Sequence, residues 1–155
     1  MENRSVTLIT SQLAASLLPK RPADSHKGSF GKALVIAGSK QFPGAANLAI
    51  QAALRSGVGL VYAAIPGSIY LPLAASIPEA IWYVLPDEAE SIDSDEKLRL
   101  FLADSLIDKE ALLIGPGLGQ QEVTKTLLLV LLFFVRNQFS DLPIVIDADG
   151  LNILS

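Results

Sequence analysis

Short apolar runs alternate along this chain with longer segments whose apolar residues recur at helical spacing. Five runs of strand length predict β-strands at 33–37, 60–65, 80–85, 111–114 and 144–146. Helices are predicted at 45–56, at 69–75 with Ser68 as cap, from about 95 to 105, and at 121–138. Because strands and helices alternate, the expected fold is a three-layer α/β/α domain with a mainly parallel sheet.

The first strand leads into a loop that runs from Gly38 to Gly44 and opens a helix. The loop is not a Walker A motif, because five residues separate its glycines and Ala45 and Ala46 follow instead of lysine and serine or threonine. A G-x-G-x-x-G fingerprint is absent as well. Small residues that open a helix leave backbone N–H groups free for an anionic or polar ligand. Gly44, Ala45 and Ala46 are therefore candidate binding residues, and an ordinary tight turn is the alternative.

Two further loops follow predicted strands and should lie at the same edge of the sheet. Residues 115–119 read GPGLG and leave the backbone bare, with Gly117 at their centre. Asp147 follows the last apolar run, where a carboxylate after a buried strand needs a ligand hydroxyl, a magnesium-bound water or a lysine as partner. Helix capping by Asp149 is the competing use of this loop. A dedicated metal site is not predicted, since Mg²⁺ also needs phosphate and water oxygens.

The remaining polar residues favour structural roles. His26 is expected to form a structural hydrogen bond, and Lys27 and Lys32 to flank a solvated loop. Glu79 is expected to cap a turn or face water. The acidic segment 87–97 is expected to be a solvated connection that leads into a helix.

Composition excludes several classes of protein. The net charge of −4 and the lack of a basic block exclude nucleic acid as a partner, and the absence of cysteine excludes disulfides and thiolate metal sites. The amino terminus lacks the apolar core of a signal peptide, so a cytoplasmic location is expected. The apolar run 127–135 is far shorter than the roughly 20 residues that cross a bilayer. We expect this run to be buried on several sides, under other parts of the protein or against another subunit.

Several segments together resemble the NAD(P)H-hydrate dehydratase family of the ribokinase-like superfamily. They are HKGSFGKALVIAGS at 26–39, PGAANLAIQAALRSGVGLV at 43–61, PE at 78–79, GPGLG at 115–119 and VIDADGLNIL at 145–154. The resemblance implies a ribokinase-like fold. It also implies an enzyme that uses ADP or ATP, with Mg²⁺, to phosphorylate the hydroxyl of hydrated NADH or NADPH, after which phosphate elimination restores the nicotinamide ring.

The resemblance also assigns binding roles to single positions. Gly44, Ala45 and Ala46 would border the damaged dinucleotide. Gly117 would contact it from the second loop. Asp147 and Asn152 would line the floor of the cleft.

The catalytic motifs of the family are not in this sequence. The family's second half carries T-P-H-x-G-E, a lysine-glycine nucleotide loop and G-x-G-D, and none of the three occurs here. The resemblance therefore places the general base beyond Ser155, the last residue of the sequence, and no residue here is assigned as catalytic. Ser155 is expected to lie in the first turn of a helix that follows the fifth strand.

These observations predict part of a larger domain. We expect residues 1–25 to be peripheral and residues 26–155 to be the N-terminal part of a domain that is inactive alone. A homo-oligomer or a complementing C-terminal half is the expected assembly. A ribokinase-like kinase of a small alcohol or vitamin precursor and a non-catalytic assembly module remain alternatives. A Rossmann-type redox enzyme is the weakest.

Overall fold

The computed structural model describes residues 8–18, 21–87 and 95–155, without the side chains of 95–99. Its strands are β1 Lys32–Ile36, β2 Leu60–Pro66, β3 Ile81–Leu85, β4 Ala111–Ile114 and β5 Ile144–Ile146. Its helices are α1 Ser11–Leu17, a 3-10 turn at Lys27–Phe30, α2 Pro43–Ser56, α3 Gly67–Ser76, α4 Asp95–Leu106, α5 Glu122–Gln138 and α6 Asp149–Leu154. All five predicted strands are confirmed. Two of them, β4 and β5, match residue for residue.

The strands form one parallel sheet in the order β3-β2-β1-β4-β5. Strand β1 is central, and its Leu34 aligns with Tyr62 on one side and Leu112 on the other. Four of the five residues of β1 are buried, because helices cover both faces of the sheet. The predicted three-layer α/β arrangement is therefore confirmed.

Alternate residues of β1 point into two separate cores. Val35 packs in a cluster that includes Ile50 of α2, which is fully buried. Leu34 packs in the opposite cluster with Leu128 and Leu131 of α5. Fully burying one such side chain contributes about 2 kcal/mol to stability, so each layer of helices is strongly held to the sheet.

The strand order reverses beside β1. The chain moves outward from β1 through β2 to β3, and then returns to place β4 on the other side of β1. This is the topological switch point, where loops after neighbouring strands diverge and open α/β sheets bind ligands. The loops that follow β1 and β4 are the two glycine-containing loops of the sequence.

Two predicted details are wrong. Ser68 does not cap α3, which begins at Gly67 with no side-chain cap on Pro66. The apolar run in α5 packs on the sheet through one side and leaves Leu129 and Phe133 56% and 66% exposed, so its burial under other parts of the protein or against another subunit stays a prediction. Ser155 does not lie in the first turn of α6, as the next paragraph describes.

Ser155 follows the last residue of α6 and caps the helix. Helix α6 begins at Asp149, sooner after β5 than the sequence suggests, so Ser155 comes after its first turn. The Ser155 N–H donates to the Leu151 carbonyl at 3.1 Å, and its hydroxyl donates to the Asn152 carbonyl at 3.0 Å. Ser155 itself is exposed and serves as the C-cap of α6.

Some predictions fall on residues outside this description. They concern the amino terminus before residue 8, residues 19–20 of the peripheral segment, and most of the acidic connection, including the side chains that open α4. Helix α1 is described, and none of its residues is buried. Thr10 caps it by accepting a hydrogen bond from the Leu13 N–H at 3.1 Å. Among the described residues, no helix has the length and apolar character needed to cross a bilayer.

Candidate functional site

The loops after β1 and β4 are joined directly at the switch point. The Gly38 N–H donates to the Pro116 carbonyl at 2.8 Å, and the Gly115 N–H donates to the Ile36 carbonyl at 3.2 Å. These bonds continue the β1–β4 pairing beyond the ends of the strands. The two glycine-containing loops therefore form one continuous rim of backbone.

Gly117 lies against the start of α2. Its φ is +66°, and a Cβ there would lie 2.6 Å from the Ala45 Cβ and 2.9 Å from the Phe42 Cβ. Only glycine allows both this backbone conformation and this close approach. The absence of a side chain thus serves loop-to-loop packing as well as access to the rim.

The loop after β5 closes the rim on its other side. A Cβ on Gly115 would clash with the Asp147 carbonyl oxygen, so the second and third loops are in close contact. Asp149 reaches back across this contact, and its Oδ2 accepts a hydrogen bond from the Gly119 N–H at 2.8 Å. The structure therefore brings together the three loops that the sequence placed at one edge.

The predicted binding residues differ in how they are presented to this rim. Gly44 is exposed and has no atom within 4 Å of where a Cβ would lie. Ala45 is half-buried, whereas Ala46 is fully buried against Gly38. Of these three, only Gly44 and Ala45 offer surface to a ligand, and Gly44 offers backbone alone.

Asp147 was selected because a carboxylate that follows a buried strand needs a partner, and its surroundings do not fulfil that condition. Strand β5 is only partly buried and Asp147 is exposed, so no desolvation cost demands a partner for its carboxylate. Asp149 does not cap α6 either, since it is the first residue of that helix and its cap position is Ala148. Asn152 is exposed, and its Nδ2 lies 3.5 Å from Asp149 Oδ1. The binding roles given to Asp147 and Asn152 remain predictions.

No residue of this sequence is assigned as the catalytic base. The resemblance places it beyond Ser155, and this remains a prediction. Ser155 is exposed at the end of α6, and its hydroxyl is engaged with the Asn152 carbonyl. The contacts of Ser155 are therefore those of a helix cap.

A cavity of about 680 Å³ lies beside the rim, on the side of α4 and α5. Gly38 and Gly119 line both features, so the cavity and the rim are continuous. Its walls include the apolar side chains of Leu85, Phe101 and Leu118. None of the six predicted binding residues lines it.

Sequence reasoning assigned no ligand contact to the polar residues of this cavity, which include Ser39, Lys40, Asp87 and Gln120. Asp87 follows β3 as Asp147 follows β5, but it stands at the head of an acidic run that is typical of a solvated connection. In the structure, its Oδ1 accepts from the Ser68 N–H at 3.1 Å and from the Ser68 hydroxyl at 2.6 Å. The strand-end argument applied to Asp147 would have found this residue.

The clearest electrostatic perturbations lie away from the rim. Lys32 Nζ and Asp108 Oδ2 are 2.6 Å apart near the amino end of β1. Their hydrogen bond raises the pKa of Lys32 and lowers the pKa of Asp108. Burial raises the pKa of Tyr83 and lowers the pKa of Lys109. None of these four groups lines the cavity or belongs to a loop of the rim.

The other polar candidates have structural surroundings. His26 Nδ1 accepts from the Gly28 N–H at 3.1 Å and begins the 3-10 turn, which confirms its predicted structural hydrogen bond. Lys27 and Glu79 are exposed, as expected. In the described ranges, no three His, Asp or Glu side chains are grouped as a metal site would require.

Comparison with known proteins gives the family of this fold. The sequence profile described as NAD(P)H-hydrate dehydratase matches residues 33–155. A bifunctional NAD(P)H-hydrate repair enzyme Nnr from Moorella thermoacetica is 38% identical over 148 residues, which are 96% of this chain and 27% of that protein.

Two solved structures have the same architecture. A ribokinase-like superfamily protein from Enterococcus faecalis has a TM-score of 0.76 at 25% identity, over 94% of this chain and 46% of its own. The ADP/ATP-dependent NAD(P)H-hydrate dehydratase from Bacillus subtilis, co-crystallized with ATP/Mg²⁺, has a TM-score of 0.66 at 32% identity, over 92% and 46%. The chain thus spans less than half the length of these proteins.

The profile match begins at the second residue of β1 and covers the rest of the sheet and every loop of the rim. The fold is ribokinase-like, as the resemblance implied. This chain belongs to the NAD(P)H-hydrate dehydratase family.

Proposed function

We propose that this chain carries the dinucleotide-binding part of an enzyme that repairs hydrated NADH and NADPH with ADP or ATP. The observation that supports this most is the joined rim, where the Gly38–Pro116 bond and the Asp149–Gly119 bond hold three loops at the switch point. Bare backbone at such an edge suits a long, polar, anionic ligand better than a small alcohol.

The repair reaction has two chemical steps. The hydroxyl on the hydrated nicotinamide ring takes a phosphoryl group from ADP or ATP, and loss of that phosphate with a neighbouring proton restores the double bond. Family motifs that supply the anion hole and the hydroxyl-activating aspartate are absent from this sequence. The role of the residues present is to bind and orient the dinucleotide, with Gly44, Ala45 and Gly117 nearest to it. Mg²⁺ would enter with the phosphoryl donor, and no step here depends on a metal ligand of this chain.

A complementing C-terminal half would complete the site at the β5 edge of the sheet. Within the described residues β5 pairs only with β4, and Val145, Leu151 and Leu154 are 60%, 53% and 44% exposed. A further strand beside β5 would cover these residues and bring donor-binding groups to the rim. We prefer this assembly to a homo-oligomer, and we place the protein in the cytoplasm with the dinucleotide pool.

Binding and turnover test these proposals separately. Isothermal titration of the 155-residue chain should show that hydrated NADPH binds and that hydroxymethylpyrimidine, a small alcohol, does not. The reverse result would favour a ribokinase-like kinase. ADP-dependent loss of hydrated NADPH should be absent for the chain alone and appear on co-expression with the C-terminal half of a relative. Full turnover by the chain alone would refute the divided arrangement.

A further inference from the structure

The outward face of α5 carries two large apolar side chains that the described residues leave uncovered. Leu129 and Phe133 are both more than half exposed. The buried residues of the helix, which include Leu128 and Leu131, lie on the opposite side and pack into the core. Because Leu129 and Phe133 are four residues apart, they are neighbours on one face of the helix. This face is directed away from the sheet, so a strand added beside β5 would not cover it.

Charged residues flank this apolar centre at matched distances. The exposed Glu122 lies seven residues before Leu129, and the exposed Arg136 lies seven residues after it. Seven residues are close to two helical turns, so all three lie on the same side of α5. Lys125 and Phe133, four residues before and after Leu129, share that side, and Lys125 Nζ pairs with Glu122 Oε1 at 2.7 Å. The face therefore has the same spacing in both directions from Leu129, with opposite charges at its two ends.

We infer that a second copy of this chain packs against the outward face of α5, with the two helices antiparallel about a two-fold axis at Leu129. The axis places the two Leu129 side chains against each other and Glu122 of each copy beside Arg136 of the other. Lys125 then lies over the Phe133 ring of the second copy, where both its aliphatic stem and its ammonium group make favourable contacts. A parallel pair would place like charges together at each end, so the charges favour the antiparallel arrangement.

This dimer should be weak and should depend on concentration. A single pair of helices buries less than the roughly 1,200 Å² at which stable specific interfaces begin, so we expect a dissociation constant in the micromolar range. The pairing leaves the β5 edge free, so it adds to a complementing C-terminal half and does not replace it. The inference does not rest on the proposed function, since no residue of this face belongs to the rim.

Sedimentation equilibrium of the 155-residue chain tests the pairing. The wild-type chain should pass from monomer to dimer as its concentration rises from about 5 to about 500 μM. Leu129→Asp sets two carboxylates against each other on the axis and should weaken dimerisation by more than about 100-fold. Leu48→Asp, at a leucine of α2 that is 74% exposed, is the matched control and should dimerise as the wild type does. A wild-type chain that stays monomeric, or a Leu129→Asp chain that dimerises normally, would overturn the inference.

Exchanging the terminal charges tests the register and separates loss of pairing from loss of folding. Glu122→Lys and Arg136→Glu should each weaken dimerisation by about 10-fold, because each creates two repulsive pairs. The chain that carries both substitutions restores opposite charges at both ends, and its affinity should return to within about threefold of the wild type. A double variant that is weaker than either single variant would contradict the antiparallel register.

Introduced cysteines give the orientation directly, because the sequence contains no cysteine. Leu129→Cys should yield a disulfide-linked dimer under mild oxidation, since the two side chains meet on the axis. Glu122→Cys and Arg136→Cys should crosslink only when the two chains are mixed, because like positions of antiparallel helices lie about 21 Å apart. Crosslinking of Glu122→Cys with itself would indicate a parallel pair and overturn the arrangement. If the co-expressed C-terminal half of a relative shields Leu129→Cys from alkylation, this face belongs to that half and the inference fails.

Discussion

Replacing Asp149 with alanine should loosen the joint between the second and third loops of the rim. The structure gives this side chain one strong bond, from the Gly119 N–H to Oδ2 at 2.8 Å. The contacts of Oδ1 with Gln120 and Asn152, at 3.4 and 3.5 Å, are at the limit of hydrogen bonding and contribute little. A hydrogen bond to a charged group contributes about 1.5–3 kcal/mol, and the position of Asp149 in the first turn of α6 adds about 0.5 kcal/mol. Because the site is only partly buried, we expect a loss near 2 kcal/mol in the free energy of unfolding.

Urea unfolding followed by the fluorescence of Trp82, the single tryptophan, measures this loss. With a urea m-value of about 2 kcal/mol/M, the midpoint of Asp149→Ala should fall by about 1 M. Asp147→Ala is the matched control two residues away. Its carboxylate is exposed and accepts no hydrogen bond from the described residues, so its midpoint should move by less than about 0.3 M. Equal shifts in the two variants would refute the claim that Asp149 joins the loops.

Two further predictions concern the rim and the opposite end of the sheet. Gly117→Ala should lower the free energy of unfolding by about 3 kcal/mol, because the φ of Gly117 is +66° and the new Cβ would lie 2.6 Å from the Ala45 Cβ. Gly44→Ala should instead raise the free energy of unfolding by about 0.5 kcal/mol, since no atom lies within 4 Å of its new Cβ. Thermal or urea unfolding measures both changes. If Gly117→Ala proved as stable as Gly44→Ala, the close packing of Gly117 against Ala45 would be contradicted. The hydrogen bond with Lys32 lowers the pKa of Asp108 in the folded chain below its ordinary value of 3.8. The ion pair therefore stabilises the fold above pH 3.8, and this stabilisation is lost as the pH falls through the folded pKa. Asp108→Asn should therefore flatten the acid limb of the stability–pH curve below pH 3.8, and an unchanged limb would show that this pair does not contribute.

Elements that depend on local sequence were predicted closely. The four apolar residues of β4 and the three of β5 carry enough information to place those strands without error. Helix α2 begins two residues earlier than predicted, since Pro43 is favourable at the first turn of a helix. Its end at Gly57, with φ +96°, is the left-handed position that glycine supplies.

Features that depend on distant partners were predicted poorly. The bonds from Ser68 to Asp87 and from Gly119 to Asp149 join residues 19 and 30 positions apart, and the local sequence around each carboxylate does not indicate its partner. Asp147 was selected because its strand reads as buried, but β5 lies at the edge of the described sheet. Exposure at an edge depends on strand order, which the hydrophobic pattern does not encode.

The apolar run in α5 shows the same limit for helices. Its sequence is apolar at every position from Leu127 to Val135, yet only one side packs on the sheet and Leu129 and Phe133 remain exposed. The side that packs depends on where the helix begins, at Glu122, and on the direction in which the chain crosses the sheet. The sequence therefore predicted that this helix is buried on one side, and the cover expected over Leu129 and Phe133 stays a prediction.

Amide NMR during a titration with hydrated NADH tests the central claim most directly. The account predicts shifts of the Gly38, Gly117 and Gly119 amides, which lie together at the carboxyl edge of the sheet, while Gly57 and Gly59 at the amino edge remain unchanged. Shifts concentrated at Gly57 and Gly59, or none at any of these glycines at saturating ligand, would contradict a dinucleotide site at the rim.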